Sequence, residues 1–369
     1  MPQSPADRTA ARTAIRDEAT RLRALFEAAG AQVVDPPVLQ PADTLLDLYG
    51  EDIRARAYVT SDAVRGEQML RPDFTVPVVQ MHMAHGAEPA RYTYAGEVFR
   101  RQEDFPDRAN EYFQTGYEVF DRTDPAAADA EVFALIREAL GDLPLRAAMG
   151  DIGILTAAVD GLETTPARKA ALRRHIWRPR RFRALLDRYA GRTPVPETRA
   201  ALLASADPLA DCAPLIGLRD RAEIAARIER LRDDAAAPPI SENAVALLDA
   251  ILSVRETLPF ALDHLRDISV DLPAIAPAVE RLAARVEALS ARGIDIDTLE
   301  FEASYRRTSM EYYDGFVFGF YAEGRSDLPP VATGGRYDAL TRVLGQGAEI
   351  PAVGGVIRPG LLLDLRAAP

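Results

Sequence analysis

Residues 111–120 read EYFQTGYEVF, a stretch in which two kinds of side chain alternate. Alternate residues of a β-strand face the same side of a sheet, so the pattern predicts a strand with one face that apolar packing can cover. The apolar face comprises Phe113, Thr115, Tyr117 and Val119, and the opposite face comprises Tyr112, Gln114, Gly116, Glu118 and Phe120. The second face therefore carries an amide and a carboxylate with a glycine between them.

This polar face has the chemistry of a small-ligand site. Gln114 and Glu118 start about 13 Å apart along the strand, and both can lean over Gly116, where the missing side chain leaves room for a ligand. A carboxylate accepts hydrogen bonds from a cationic or N–H-bearing group, and an amide can satisfy a second polar group. The alternative is a solvated face on which Glu118 pairs with an arginine, and this stretch alone leaves both possibilities open.

Three further segments near the end of the chain carry glycines. EYYDGFVFGFYAEG (311–324) predicts a strand with a bulky face, and PAVGGVIRP (351–359) predicts another, while TGGRYD (333–338) predicts a Gly-Gly turn. The bulky face comprises Tyr312, Phe316, Phe318 and Phe320, and the other face comprises Tyr313, Gly315, Val317 and Gly319. Glycine in a strand often marks the close approach of a ligand or another backbone, so these segments indicate a pocket floor, with core packing as the alternative.

The remaining pattern predicts an α+β fold with a mainly antiparallel sheet flanked by helices. Helical periodicity covers residues 9–30, ending at Gly30, and residues 125–140, while RYTYAGEVFRRQ and LPLRAAMGD read as strands. From about 155 to 295 the strand patterns fade and apolar residues recur at helical spacing, which predicts a helical insertion. The parts before and after it would form one sheet, since no regular βαβ alternation occurs.

Composition excludes several classes of protein. The formal charge of −12 disfavours general binding to nucleic acids or anionic membranes, and the lone Cys212 excludes an intrachain disulfide. The polar start and the absence of a long apolar run predict a soluble, cytoplasmic protein without a membrane segment. His82 and His85 have no partner ligands at metal spacing, and no nucleotide fingerprint occurs, so we expect neither a metal nor a cofactor.

Two polar segments remain. LRPDFT brings Asp73 and Thr75 to one side of an extended chain, and Arg100 at a strand end could bind a carboxylate or phosphate, or pair with a neighbouring acid. RRHIWRPRRFRALLDR (173–188) interleaves arginines with Trp177 and Phe182. It predicts a charged helix pair or a docking patch for an acidic partner, with RNA binding as the alternative.

Together LRPDFT, FRRQE, QTGYE, EYYDGFVF, TGGRYD and PAVGG resemble the catalytic core of histidyl-tRNA synthetase, a class II aminoacyl-tRNA synthetase. The resemblance implies a core in two parts, residues 1–154 and 296–369, around an insertion at 155–295, with no anticodon-binding domain. It also implies a histidine site: Asp73, Thr75 and Gln114 on the α-amino group, Glu118 and Tyr313 on the imidazole, Tyr337 closing the pocket, and Arg100 on the carboxylate.

The sequence departs from the synthetase pattern where ATP would react. Thr308 stands at the arginine of the R-G-L-D-Y-Y element, Leu361 at the arginine of the motif G-x-x-x-G-L-E-R, and Gln102 at the motif 2 acid, with Glu103 one residue beyond. Cations that stabilise charge on reacting phosphates are typically worth a few kcal/mol each. A chain without them is predicted to be non-catalytic, although a truncated ligase that activates an amino acid with ATP stays as the alternative.

The chain is similar to one family with this combination, the regulatory subunits of ATP phosphoribosyltransferase. Membership implies a short-form catalytic subunit as partner, a dimer of this chain within a hetero-oligomer, and L-histidine as ligand. It further implies a need for this chain in the first step of histidine biosynthesis and in feedback inhibition by histidine. We expect neither membrane nor nucleic-acid partners.

Overall fold

The computed structural model describes residues 5–49, 53–102, 108–210, 212–305 and 312–367. The strands in these ranges are β1 (Gln32–Val33), β2 (Leu39–Pro41), β3 (Val59–Asp62), β4 (Gly66–Leu70), β5 (Ala90–Phe99), β6 (Glu111–Phe120), β7 (Leu145–Asp151), β8 (Arg255–Thr257), β9 (Glu300–Glu302), β10 (Phe316–Ala322), β11 (Ala332–Arg336) and β12 (Ala352–Ile357). The α-helices are α1 (Pro5–Ala28), α2 (Ala42–Tyr49), α3 (Ile53–Arg56), α4 (Thr75–His85), α5 (Pro125–Leu140), α6 (Ile152–Asp160), α7 (Pro166–Arg174), α8 (Pro179–Tyr189), α9 (Glu197–Ala204), α10 (Arg221–Ala236), α11 (Glu242–Ser253), α12 (Leu258–Asp271), α13 (Ala276–Ala291), α14 (Asp338–Leu344) and α15 (Pro359–Ala367).

A nine-stranded sheet in the order β1-β5-β6-β12-β11-β10-β7-β9-β8 forms the centre of the molecule. Its neighbours are antiparallel except at β1–β5 and β7–β9, so the predicted mainly antiparallel α+β sheet is confirmed. Strands β10 to β12 lie between β6 and β7, which confirms that the first and last parts of the chain build one sheet. A second sheet, β2-β4-β3, has three strands.

Residues in the local sequence determine where two of the helices begin or end. Helix α5 covers the predicted residues 125–140, because Asp124 caps its first turn by accepting from the Ala127 N–H and Gly141 follows its last residue. Helix α1 ends just before Gly30, whose φ of 93° is favourable for glycine and awkward for other residues. The helix end predicted at Gly30 and the helix predicted at 125–140 are therefore confirmed.

The two faces of the large sheet are covered by different packing clusters. Tyr117 and Val119 belong to the cluster shared with α1, α5 and the helical insertion, whereas Phe120 belongs to a second cluster with Phe74 and Tyr94. The two predicted faces of β6 are thus confirmed. On β10 the three phenylalanines pack around Phe133 of α5, as the bulky face predicted. Tyr312 precedes the strand and packs instead in the second cluster.

One local prediction is wrong. TGGRYD is not a Gly-Gly turn: Gly334 and Gly335 lie inside β11, hydrogen-bonded to both β10 and β12. The ring of Phe318 explains the first glycine, because a β-carbon at Gly334 would lie 2.4 Å from its Cζ atom. Within the predicted helical insertion, Arg255–Thr257 forms the short strand β8, which extends the sheet beyond β9.

The helical insertion is attached to the sheet through buried charges. Arg285 of α13 donates to Asp129 of α5 (Nε to Oδ2, 2.8 Å) and to Asp151 at the start of α6 (Nη1 to Oδ2, 2.9 Å). The other oxygen of Asp129 accepts from Arg336 of β11 at 2.7 and 3.0 Å. This group, Arg285, Asp129, Asp151 and Arg336, is called the Asp129 network below.

The arginine run 173–188 forms the end of α7 and most of α8, so the predicted helix pair is confirmed. Within the described residues, no helix is both long and apolar enough to cross a membrane. Thr308 and Glu103 lie outside the described residues. The boundaries at 154/155 and 295/296 stay predictions.

Candidate ligand-binding site

A cavity of about 690 Å³ opens over the polar face of β6 and β12. Five of the seven predicted site residues line it: Asp73, Thr75, Arg100, Gln114 and Tyr313. They come from the start of α4, the ends of β5 and β6, and the segment before β10, so chain regions remote in sequence meet at one place. Glu118 and Tyr337 are not among the lining residues and lie buried beside them.

Strand pairing explains how the floor is arranged. Across β5, Gln114 is opposite Gly96 and Gly116 is opposite Tyr94. Across β12, Glu118 is opposite Gly354. A β-carbon at Gly354 would lie 1.4 Å from Oε2 of Glu118, so this strand needs glycine there to accommodate the carboxylate. The Glu118 carboxylate therefore occupies the space beside Gly354, and Arg71 occupies the space beside Gly96, where a β-carbon would lie 2.6 Å from its Nη2 atom.

Gln114 has an unmet hydrogen-bonding need. The residue is 1% exposed, and its side-chain oxygen Oε1 is buried with no hydrogen-bond partner among the described residues. A buried acceptor left without a donor costs about 1–3 kcal/mol. Because the side chain also lines the cavity, a ligand with an N–H or ammonium group there would remove that cost.

Glu118 is in the opposite situation. Its Oε1 accepts from the hydroxyls of Thr75 (3.0 Å) and Tyr94 (2.8 Å), and its Oε2 accepts from the hydroxyl of Tyr337 (2.6 Å). Complete burial raises the pKa of Glu118 to about 7, although these three donors lower it, and nearby Asp73 raises it further. Among the described residues, the hydrogen-bond partners of this carboxylate are thus all neutral hydroxyls.

The space predicted above Gly116 is not open, so that prediction is wrong. A β-carbon at Gly116 would lie 2.2 Å from Cζ of Tyr94, which means that the tyrosine ring occupies the position. The ring stacks on Phe74 with centroids 4.3 Å apart and holds its hydroxyl on Glu118. The gap between Gln114 and Glu118 is therefore occupied by the Tyr94 ring, whereas Gln114 itself lines the cavity.

The end of the cavity near Gln114 is positively charged. Arg100 donates to the carbonyl of Pro72 (2.5 Å), and Arg358 has its Cζ atom 5.5 Å from the ring centroid of Tyr112. Burial alone would raise the pKa of Tyr112, but Arg100 and Arg358 lower it below its ordinary value. Leu361 also lines the cavity, so the position of the synthetase arginine contributes no charge.

Three cavity-region residues were not predicted from the sequence: Tyr94, Tyr112 and Arg358. Tyr112 was placed on the polar face of β6 without a role, and its alternation with Gln114 could have suggested one. Tyr94 and Arg358 matter because of the pairing of β5 and β12 with β6, which the sequence alone does not state. Within the described residues, no group of three or more His, Cys, Asp or Glu side chains could hold a metal ion.

Comparisons with known proteins agree with this arrangement. A family model described as Histidyl-tRNA synthetase matches residues 8–212 and 215–359. An ATP phosphoribosyltransferase regulatory subunit from Brucella anthropi is 34% identical over 357 residues, which cover 90% of this chain and 93% of that protein.

Solved structures share the fold. A structure described as an ATP phosphoribosyltransferase regulatory subunit/histidyl-tRNA synthetase from Bacillus halodurans has a TM-score of 0.67 at 21% identity, covering 100% of this chain and 82% of its own. A histidine–tRNA ligase subunit from Alicyclobacillus acidocaldarius has a TM-score of 0.60 at 24% identity, covering 100% and 96%. The predicted class II synthetase-like fold is confirmed. This chain belongs to the family of ATP phosphoribosyltransferase regulatory subunits, which is built on the histidyl-tRNA synthetase fold.

Proposed function

We propose that this chain is a non-catalytic regulatory subunit that assembles, as a dimer within a cytoplasmic hetero-oligomer, with a short-form catalytic subunit of ATP phosphoribosyltransferase. The partner carries out the first step of histidine biosynthesis, and this chain is needed for that activity and for its inhibition by L-histidine. Support comes from the family and from Leu361, an apolar residue where the synthetase pattern has a cation.

The observation that carries histidine binding is the buried, partnerless oxygen of Gln114 in the cavity. The α-ammonium group of an amino acid would donate to this oxygen, to Asp73 and to Thr75, which line the same cavity. The imidazole would lie toward Tyr313 and Glu118. Charge favours this orientation, because the described partners of the Glu118 carboxylate are neutral hydroxyls and the carboxylate gains from a nearby N–H group.

Inhibition requires more than binding. Histidine can shift the assembly only if it binds the inactive arrangement better than the active one, because a ligand with equal affinity for both states shifts neither. The site is lined by residues of β6, β11, β12 and the start of α4, so a ligand there would influence how these elements pack. Through this change in packing, ligand binding would alter the surface that contacts the partner.

The test is reconstitution. Phosphoribosyl-ATP formation by the short catalytic subunit is measured with and without this chain, and histidine is then titrated. We expect activity only when both chains are present, and a fall in activity with histidine. Activity indifferent to this chain would overturn the proposal, and histidine-dependent ATP–pyrophosphate exchange by this chain alone would favour a truncated ligase instead.

The site is tested by Glu118→Gln, which keeps the shape of the side chain and removes its charge. Histidine affinity, measured by calorimetry, is expected to fall by roughly 1–3 kcal/mol because a charge-assisted hydrogen bond is lost. The matched control is Glu349→Gln, a change at an exposed carboxylate that pairs with Arg342. Equal affinity for the wild type and Glu118→Gln would mean that histidine binds elsewhere.

A further inference from the structure

Arg358 stands at a position that the synthetase pattern does not give to a cation. In the motif G-x-x-x-G-L-E-R the first glycine corresponds to Gly354 and the final arginine to Leu361, so Arg358 replaces the second glycine. The chain therefore lacks the arginine of the pattern and carries another one three residues earlier.

The sheet places Arg358 beside Gln114. The β6–β12 ladder pairs Gly354 with Glu118, Val356 with Gly116, and ends at Ile357 with Thr115. Continuing the alternation by one residue puts Arg358 opposite Gln114, on the polar face of the sheet. Both side chains line the cavity. The buried amide and this guanidinium are thus neighbours across two strands.

Contacts with neighbouring groups fix the position of the Arg358 side chain. Its backbone N–H donates to the carbonyl of Val331 (2.9 Å), and its Nη1 donates to the carbonyl of Pro330. Its guanidinium also lies over the ring of Tyr112 (5.5 Å). A guanidinium held in this way loses little conformational freedom when a ligand binds, which makes it a specific recognition group.

The field at this end of the cavity favours an anion. Arg100 and Arg358 both stabilise the ionised form of Tyr112, and together they lower its pKa although burial alone would raise it. In a free amino acid one carbon separates the ammonium group from the carboxylate. An ammonium group on Gln114 therefore brings the carboxylate next to the neighbouring cation.

We propose that Arg358 binds the carboxylate of the amino acid ligand and so restricts the cavity to free α-amino acids. The proposal rests on the proposed histidine-binding function and adds a specificity-determining residue to it. Guanidinium and carboxylate match in a bidentate geometry, so loss of the carboxylate removes the larger part of this contact. Arg100, which lines the same cavity, adds a second positive charge.

The experiment compares L-histidine with L-histidinamide, which has the same size and no carboxylate charge. Calorimetry is performed on the wild type, Arg358→Gln and Arg358→Lys. We expect Arg358→Gln to weaken L-histidine binding by roughly 10- to 100-fold and to change L-histidinamide binding by less than about threefold. Arg358→Lys keeps the charge without the planar fork and should weaken L-histidine binding by a smaller factor.

Two control variants separate a specific contact from a general field. Arg101→Gln removes another cation of the cavity, whose guanidinium lies over Tyr58 at 5.5 Å, and should alter both ligands by similar small factors. Arg100→Gln tests the alternative carboxylate partner. Discrimination between the ligands that is lost in Arg100→Gln and kept in Arg358→Gln would overturn the assignment.

The outcomes also distinguish this proposal from the one on which it rests. If the wild type binds neither ligand, histidine binding itself fails. If the wild type binds L-histidine and Arg358→Gln binds both ligands as the wild type does, only the role of Arg358 fails. Should Arg358→Gln not fold, as judged by thermal unfolding, Arg358→Lys decides: equal weakening of both ligands, or of neither, would contradict the proposal.

Discussion

The Asp129 network and the polar groups around Glu118 are both buried, yet they are compensated in different ways. In the network each carboxylate faces a guanidinium: Asp129 accepts from Arg285 and Arg336, and Asp151 accepts from Arg285. Around Glu118 the donors are the hydroxyls of Thr75, Tyr94 and Tyr337, none of which carries a positive charge. Close by, the Gln114 oxygen has no partner within the described ranges.

This difference separates a structural role from a binding role. A buried carboxylate paired with arginine is satisfied by the folded chain itself and gains little from a ligand. A buried carboxylate with neutral donors, on the same strand face as an unsatisfied amide, is better stabilised when a cationic or N–H-bearing molecule arrives. The three predictions that follow change one side of the comparison at a time, beginning with the largest expected effect.

Removing the shared cation should damage the network most. Arg285→Ala leaves Asp151 without its guanidinium and Asp129 with only Arg336, so the free energy of unfolding is expected to fall by about 3–5 kcal/mol. Urea denaturation at neutral pH measures it. The control is Glu287→Ala, at an exposed position two residues along the same helix and therefore on its other side, expected within about 0.5 kcal/mol of the wild type. Equal stability of the two variants would show that the network contributes little.

The pKa of Glu118 predicts a pH dependence of stability. Because burial raises this pKa from an ordinary value of 4.5 to about 7, the folded protein binds a proton that the unfolded chain has released. Stability is therefore greatest below pH 4.5 as far as this group is concerned, and is lost as the pH rises through 7. The difference of about 2.5 pKa units corresponds to about 3 kcal/mol.

Comparison with Glu118→Gln isolates this effect, because the pKa of Asp314 is also raised to about 7 by burial and titrates in both proteins. The unfolding free energies of the wild type and the variant are measured from pH 5 to pH 9. The wild type should lose stability relative to the variant over that range. Parallel pH curves would mean that Glu118 titrates normally in the folded protein.

The smallest expected change in stability is also the most diagnostic. Gln114→Met removes a buried acceptor that has no donor, so the free energy of unfolding should stay the same or rise by up to about 1 kcal/mol, while histidine affinity falls. Gln68→Met is the matched control, because buried Gln68 donates to the carbonyls of Arg65 and Glu67, and its loss should destabilise by about 1 kcal/mol. A destabilised Gln114→Met protein would indicate a structural role.

Local patterns in the sequence were sufficient to predict secondary-structure elements of the fold. Strand β6 coincides with EYFQTGYEVF because alternation and a following turn define it, and α5 coincides with residues 125–140 because both ends carry capping residues. The site residues Gln114, Asp73 and Thr75 were predicted to meet through a resemblance, and the structure brings them to one cavity. Their role as ligand contacts stays a prediction.

The predictions that failed depend on which residues of neighbouring strands stand opposite each other. Whether Gly116 is open depends on which residue of β5 stands opposite, and Tyr94 does. Position 334 in TGGRYD needs a glycine because the Phe318 ring occupies the space, a fact that depends on the pairing of β10 and β11. In the same way, Arg358 lies opposite Gln114 because of the register between β6 and β12. None of these pairings has a local signature in one sequence.

The position of β12 between β6 and β11 affects how the chain folds during its synthesis. During synthesis β6 leaves the ribosome early, with one edge ready to pair, and its permanent neighbour at residues 352–357 follows only after the whole helical insertion. During that interval the unpaired strand edge is prone to aggregation and is a binding site for chaperones. The cavity floor forms only when β12 arrives, so a metabolite that binds there can stabilise finished molecules and cannot assist nascent ones.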